Sequence, residues 1–137
     1  MPYTAHFMLE ELIRPLLAEL GEQRADMAAL LLHCWQLGCS SGSGLGPYAL
    51  SSARHRQLWD DWLAWREDLA SQVRGLASQH HFLRDPDAEL CCNLLYSTAL
   101  AWVAIVASER PLPRASDSAG QTCLWQAVFA TEQPLAA

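Results

Sequence analysis

Histidine and cysteine are the side chains best suited to hold a metal ion or to move a proton, and this chain has five of each: His6, His33, His55, His80 and His81, with Cys34, Cys39, Cys91, Cys92 and Cys123. No two histidines stand four residues apart, the spacing that sets two imidazoles beside one ion on a helical face. A site assembled across helices from His33, Cys34 and Cys91 or Cys92 would have suitable donors, because neutral imidazole and thiolate both bind zinc well. Cysteine is also among the most buried residue types and packs as a small hydrophobe, so we read these thiols as packing groups and expect neither metal nor cofactor. An odd set of cysteines without regular spacing does not build a secreted disulfide framework, which points to reduced thiols.

Other chemistries are weakly represented. The serines cluster in loops, and no Gly-x-Ser-x-Gly elbow occurs. Gly42, Gly44 and Gly46 imitate a phosphate loop, but no strand precedes them and no Lys-Ser/Thr pair follows. The acidic pairs Glu10-Glu11 and Asp60-Asp61 are adjacent, so on a helix their side chains diverge by about 100 degrees and form a solvated face. Arg74 and His80, with five residues between them, resemble the arginine–histidine spacing of the HEPN ribonucleases, a family of small helical bundles. The resemblance covers these two residues, and Gly75 stands where that family usually carries a polar one. It implies a ribonuclease as a remote reading; the competing one is an arginine on the surface and a histidine facing the negative end of a helix.

These residues have to be positioned by helices. Apolar residues at helical spacing predict a first helix over residues 4–20, with Pro15 kinking or breaking it. A second helix is predicted over about 22–37, with Gly38 as a left-handed stop, the two forming an antiparallel hairpin. Residues 39–52, CSSGSGLGPYALSS, have the composition of a flexible loop. Ser51 or Ser52 caps a long third helix to about His80, with Leu58, Trp62, Trp65, Leu69, Val73 and Leu76 on one face. Asp85-Pro86 opens a fourth helix, apolar on nearly every side and therefore buried, which Pro111 closes. Residues 110–120 form a linker, 121–132 a last helix on Leu124, Trp125, Val128 and Phe129, and 133–137 a loose tail. The expected fold is a single all-α domain, a bundle of four to five mostly antiparallel helices.

Hydrophobic residues make up 51% of the 137 and charged residues only 18%, with six tryptophans among them. A core of this size leaves some large apolar side chains for a partner. The net charge is −6, all nine basic residues are arginine, and no basic stripe exists, which sets nucleic acid aside. The absence of lysine fits codon bias in a GC-rich, bacterial genome. The first residues lack a charged and apolar leader pattern, and the apolar run of the fourth helix is too short to span a bilayer, so a cytoplasmic protein is expected.

Function is read from what remains. On the third helix Trp59, Leu63, Ala70 and Ala77 form a second strip beside the core face, with Arg66 between the two. Tryptophan and arginine are enriched at binding hot spots, which makes Trp59, Leu63, Arg66 and Ala70 the candidate contacts for a protein partner or a second copy. On the fourth helix Asn93, Ser97, Ala101, Ala104 and Ser108 share one side, and Asn93, Tyr96 and Ser97 are the candidates for a pocket holding an apolar ligand with a polar head. The leading expectation is a non-enzymatic protein-binding module that masks or scaffolds another protein, in the manner of an anti-activator, immunity protein, chaperone or adaptor. The alternative is a helical bundle that binds a small molecule or metal.

Overall fold

The computed structural model describes residues 4–130, except the side chains of 79–81. The proposed tail at 133–137 and the side chain of His80 fall outside the described residues. The described chain is all-α: the isolated bridge between Leu45 and Leu50 is the extended pairing among these residues. Among the described residues eight helices replace the expected four or five, because both long helices are broken at one residue each and Gln79–Arg84 forms a further short helix between them. Helix α1 runs from Ala5–Phe7 through a π-helical turn, Met8–Ile13, into Arg14–Leu20; α2 is Asp26–Ser41; α3 is Ser52–Gln57, continued by a π-turn Leu58–Trp62 and a 3-10 turn Leu63–Trp65; α4 is Glu67–Leu76 and α5 Gln79–Arg84. Then follow α6, Pro86–Cys92, α7, Leu94–Ser108, and α8, Ser118–Trp125, which ends in a third π-turn, Gln126–Ala130.

Pro15 does not break α1 into two helices. It occupies the first turn of the segment Arg14–Leu20, after a π-turn in which the Arg14 N–H bonds the carbonyl of Leu9. A proline lacks a donor, and the wider turn places that gap where the ladder is already displaced. Helix α2 passes through Gly38 and stops at Gly42, whose φ of 73° is left-handed. Gly38 serves another purpose. A Cβ there would sit 2.1 Å from the carbonyl oxygen of Pro47 and 2.6 Å from the Cα of Tyr48, so glycine is what lets the following segment lie against the helix.

That segment, read as a flexible loop, is docked over most of its length. Leu45 and Leu50 exchange two backbone hydrogen bonds, of 2.8 and 3.2 Å. Tyr48, Ala49 and Leu50 are buried, and the Tyr48 hydroxyl donates to Thr98 on α7 at 3.0 Å.

The largest departure lies in the third predicted helix. The π-turn at Leu58–Trp62 inserts an extra residue, and Arg66, at φ −132° and ψ 76°, ends the helix before α4 begins. One extra residue rotates the later side chains by about 100 degrees. Leu63, assigned to the flank, is therefore buried in the core, and Trp65, assigned to the core, is 81% exposed. Leu58, Trp62 and Val73 remain inside. At the second break, Asn93 turns α6 into α7 through 107°. Helix α7 is buried along nearly its whole length, as its apolar composition requires. No single helix among the described residues is long and apolar enough to cross a membrane.

Two glycines give opposite expectations in urea denaturation. Gly38→Ala should lose about 2 kcal/mol or more, since its Cβ meets backbone that cannot move aside cheaply. Gly75→Ala, on α4 with nothing within 4 Å of the added methyl, should gain about 0.5–1 kcal/mol.

Candidate functional site

Two places gather polar groups against the core, and they lie on the two sides of α6. The first is a buried chain of hydrogen bonds centred on His55, which the Ser51-capped helix α3 carries into the interior. His55 Nδ1 lies 2.8 Å from Asp87 Oδ1, and Nε2 lies 2.7 Å from the Tyr96 hydroxyl. The Trp59 indole donates to that same hydroxyl at 2.8 Å, and Ser52 donates to Asp87 Oδ2. Arg56, from the surface, stands 3.7 Å from Asp87.

Counting donors fixes the protonation states. The Asp87 carboxylate can only accept, so the imidazole, which burial keeps neutral, carries its proton on Nδ1; Nε2 then accepts from the Tyr96 hydroxyl, whose oxygen accepts from the Trp59 indole. Burial holds the His55 pKa below its usual value, overcoming the opposing pull of Asp87. Burial also opposes ionisation of Asp87, but the hydrogen bonds from Ser52 and His55 outweigh it and keep this carboxyl below the ordinary range. The phenol of Tyr96 is pushed up by burial.

Serine, histidine, aspartate and tyrosine side by side suggest acid–base or acyl-transfer chemistry, but the connectivity runs the other way. Ser52 bonds the carboxylate instead of the imidazole, and Tyr96, on the imidazole's other nitrogen, is fully buried. Both nitrogens are therefore engaged inside the protein, and the chain ties α3 to α6 and α7. Sequence reasoning passed over His55, Asp87 and Ser52 because their partners lie 32 to 41 residues away, and no spacing rule reaches that far.

The second place is an open groove of about 490 Å³ on the other side of α6. Phe7 and Leu12 of α1 and Leu94 and Leu95 of α7 supply apolar walls; Ser78, Glu89, Cys92 and Asn93 supply the polar part. Glu89 is buried and accepts from the Ser78 backbone N–H at 3.1 Å and from the Asn93 amide at 2.9 Å. Phe7 and Leu95 are 41% and 43% exposed.

The residues singled out from the sequence are dispersed over these features. Of the ligand candidates, Asn93 lines the groove, Tyr96 belongs to the His55 chain, and Ser97 is buried with its hydroxyl donating to the Leu94 carbonyl. Of the partner candidates, Leu63 is core, and Trp59 is half-buried, edge-on to Phe82 with centroids 5.7 Å apart. Ala70 is half-buried, and Arg66 is exposed, its guanidinium 3.8 Å above the Trp62 ring. The strip is thus no continuous surface: the π-turn and the break at Arg66 rotate its members apart. Arg74 lies 4.1 Å above the Phe82 ring. His33 bonds Thr122 at 2.8 Å, Cys34 is buried while Cys91 and Cys92 are exposed, and no metal-binding group of three forms among the described residues.

The His55 chain predicts acid sensitivity. The unfolded histidine takes up a proton near pH 6.5 and the folded one only at lower pH, so stability is complete above 6.5 and falls as pH drops below it. Urea titrations from pH 8 to 5 should show this slope, and His55→Gln should flatten it. Tyr96→Phe should cost about 2–4 kcal/mol at neutral pH, because it strands both the Trp59 N–H and His55 Nε2.

Comparison of the chain with family models, with curated proteins and with solved structures returns no match.

Proposed function

We propose that this chain is a non-enzymatic protein-binding module that masks or scaffolds a partner by receiving an apolar segment of it in the groove between α1 and α7. The observation that carries this reading is the convergence of Phe7 and Leu95, both well exposed, with Leu12 and Leu94 on a single groove. Leaving large apolar side chains in water forgoes about 25 cal/mol for each Å² that burial would recover. Contiguous patches of this kind mark interaction surfaces more often than scattered single residues do. Trp65 and Leu83, 81% and 80% exposed, add apolar surface elsewhere. The groove's open side favours a segment of a protein, such as an amphipathic helix, over an enclosed small molecule. A homodimer is the case in which a second copy supplies the segment.

A display library of amphipathic helical peptides tests this directly. The wild-type chain should enrich peptides with apolar residues at three- and four-residue spacing, and Leu95→Asp should weaken them by about tenfold or more, as truncating a hot spot does. Because Leu95 is 43% exposed, its thermal midpoint should shift little. Equal binding by wild type and Leu95→Asp would remove the groove as the docking site. Sedimentation of the free protein separates the self-association case, in which the same variant should disperse a dimer.

A further inference from the structure

The groove contains a carboxylate whose surroundings imply more about its occupant. Glu89 is only 2% exposed, yet its two hydrogen-bond partners, the Ser78 N–H and the Asn93 amide, are both neutral. Among the described residues no arginine or histidine forms an ion pair with it. A buried carboxylate without a counter-charge is unfavourable, and a carboxylate offers about four acceptor positions, of which two are filled here. Because Glu89 lines the groove, a positive group bound there would meet an unneutralised charge beside the apolar walls.

Resting on the docking reading above, we propose that the segment bound in this groove belongs to a partner protein and carries a lysine beside its apolar residues, with the ammonium ending at Glu89. Lysine fits better than arginine for a geometric reason. Each Glu89 oxygen already holds one donor, Oε1 from Ser78 and Oε2 from Asn93, whereas the guanidinium fork needs both oxygens open in one plane. An ammonium needs a single acceptor position. The lysine stem is apolar and would lie along Phe7, Leu12, Leu94 and Leu95 with its charge at the polar floor. The chain's net charge of −6 favours encounter with a basic segment, and the chain itself contains no lysine, so a second copy cannot supply this group through a side chain.

The test uses the full chain and the peptides enriched on it. Enriched peptides should share a lysine three or four residues from an apolar pair, and replacing that lysine by norleucine, which keeps the stem and removes the charge, should weaken binding to wild type by about tenfold. Glu89→Gln should bind the lysine and norleucine peptides equally. The norleucine comparison is made on the wild-type chain and stands even where Glu89→Gln does not fold. Peptides that bind in a Leu95-dependent manner without a lysine, or that tolerate norleucine unchanged, would overturn the charge assignment and leave the docking reading intact. Failure to enrich any Leu95-dependent peptide would remove both.

Discussion

The fold turns on one side chain, the amide of Asn93. Helix α7 is almost wholly apolar and buried from Tyr96 onward, so the unpaired N–H groups of its first turn need partners at the point where the helix enters the core. Asn93 leaves the helical region, at φ −120° and ψ 101°, and its Oδ1 accepts the Tyr96 N–H at 3.0 Å. Its Nδ2 reaches the other way, to the Leu76 carbonyl at the end of α4 and to Glu89 on α6. One residue thus caps α7, closes α4 and orients α6, and it is also the point at which the chain bends by 107°. An aspartate could accept from Tyr96 but could not donate to Leu76 and Glu89, and a leucine could do neither.

With the bend fixed, α6 becomes a divider. Asp87 and Glu89 are two residues apart, so their side chains leave the helix about 200 degrees apart. Asp87 enters the His55 chain, and Glu89 enters the groove. The two carboxylates of one short helix are handled in opposite ways. Asp87 receives Ser52, His55 and a distant Arg56, a set of donors that favours its charge. Glu89 receives neutral donors from its own neighbourhood and keeps acceptor positions in reserve. Glu22 shows a third solution in the same protein: burial opposes its charge, but Arg24 and the Trp102 indole hold its pKa down to about 2.

Much of the helical content was legible because apolar periodicity depends on neighbours three and four residues away. The burial of α7, the cap at Ser51, and the inward Leu124, Val128 and Phe129 of the last helix and its π-turn all follow from that local pattern. What escaped was phase. A π-turn leaves no mark in the composition of Leu58–Trp62, yet it exchanges the places of Leu63 and Trp65. Gly38 reads as a stop because a glycine near a helix end is ambiguous between a left-handed cap and a close contact, and the contact, Tyr48, is ten residues on. Asn93 stood out in the sequence as a polar residue on an apolar helix, but as a pocket floor; its capping role requires knowing that the helix starts one residue later. The His55 chain was illegible because it joins elements that only the finished fold brings together.

These breaks also decide which apolar residues stay exposed. A straight third helix would have covered Trp65 and exposed Leu63; the π-turn at Leu58–Trp62 does the reverse, and at the break that follows Arg66 stacks its guanidinium on Trp62. A straight helix from Pro86 to Ser108 would have carried Glu89 and Leu95 along one rod, with nothing to set them across a concave surface. The bend at Asn93 instead folds the polar end of α6 over the first turn of α7, where Leu94 and Leu95 meet Phe7 and Leu12 from α1. The groove is therefore a product of the same residue that permits α7 to be buried. Since Asp87 and Glu89 share a helix of seven residues, the His55 chain and the groove are built on the same short element.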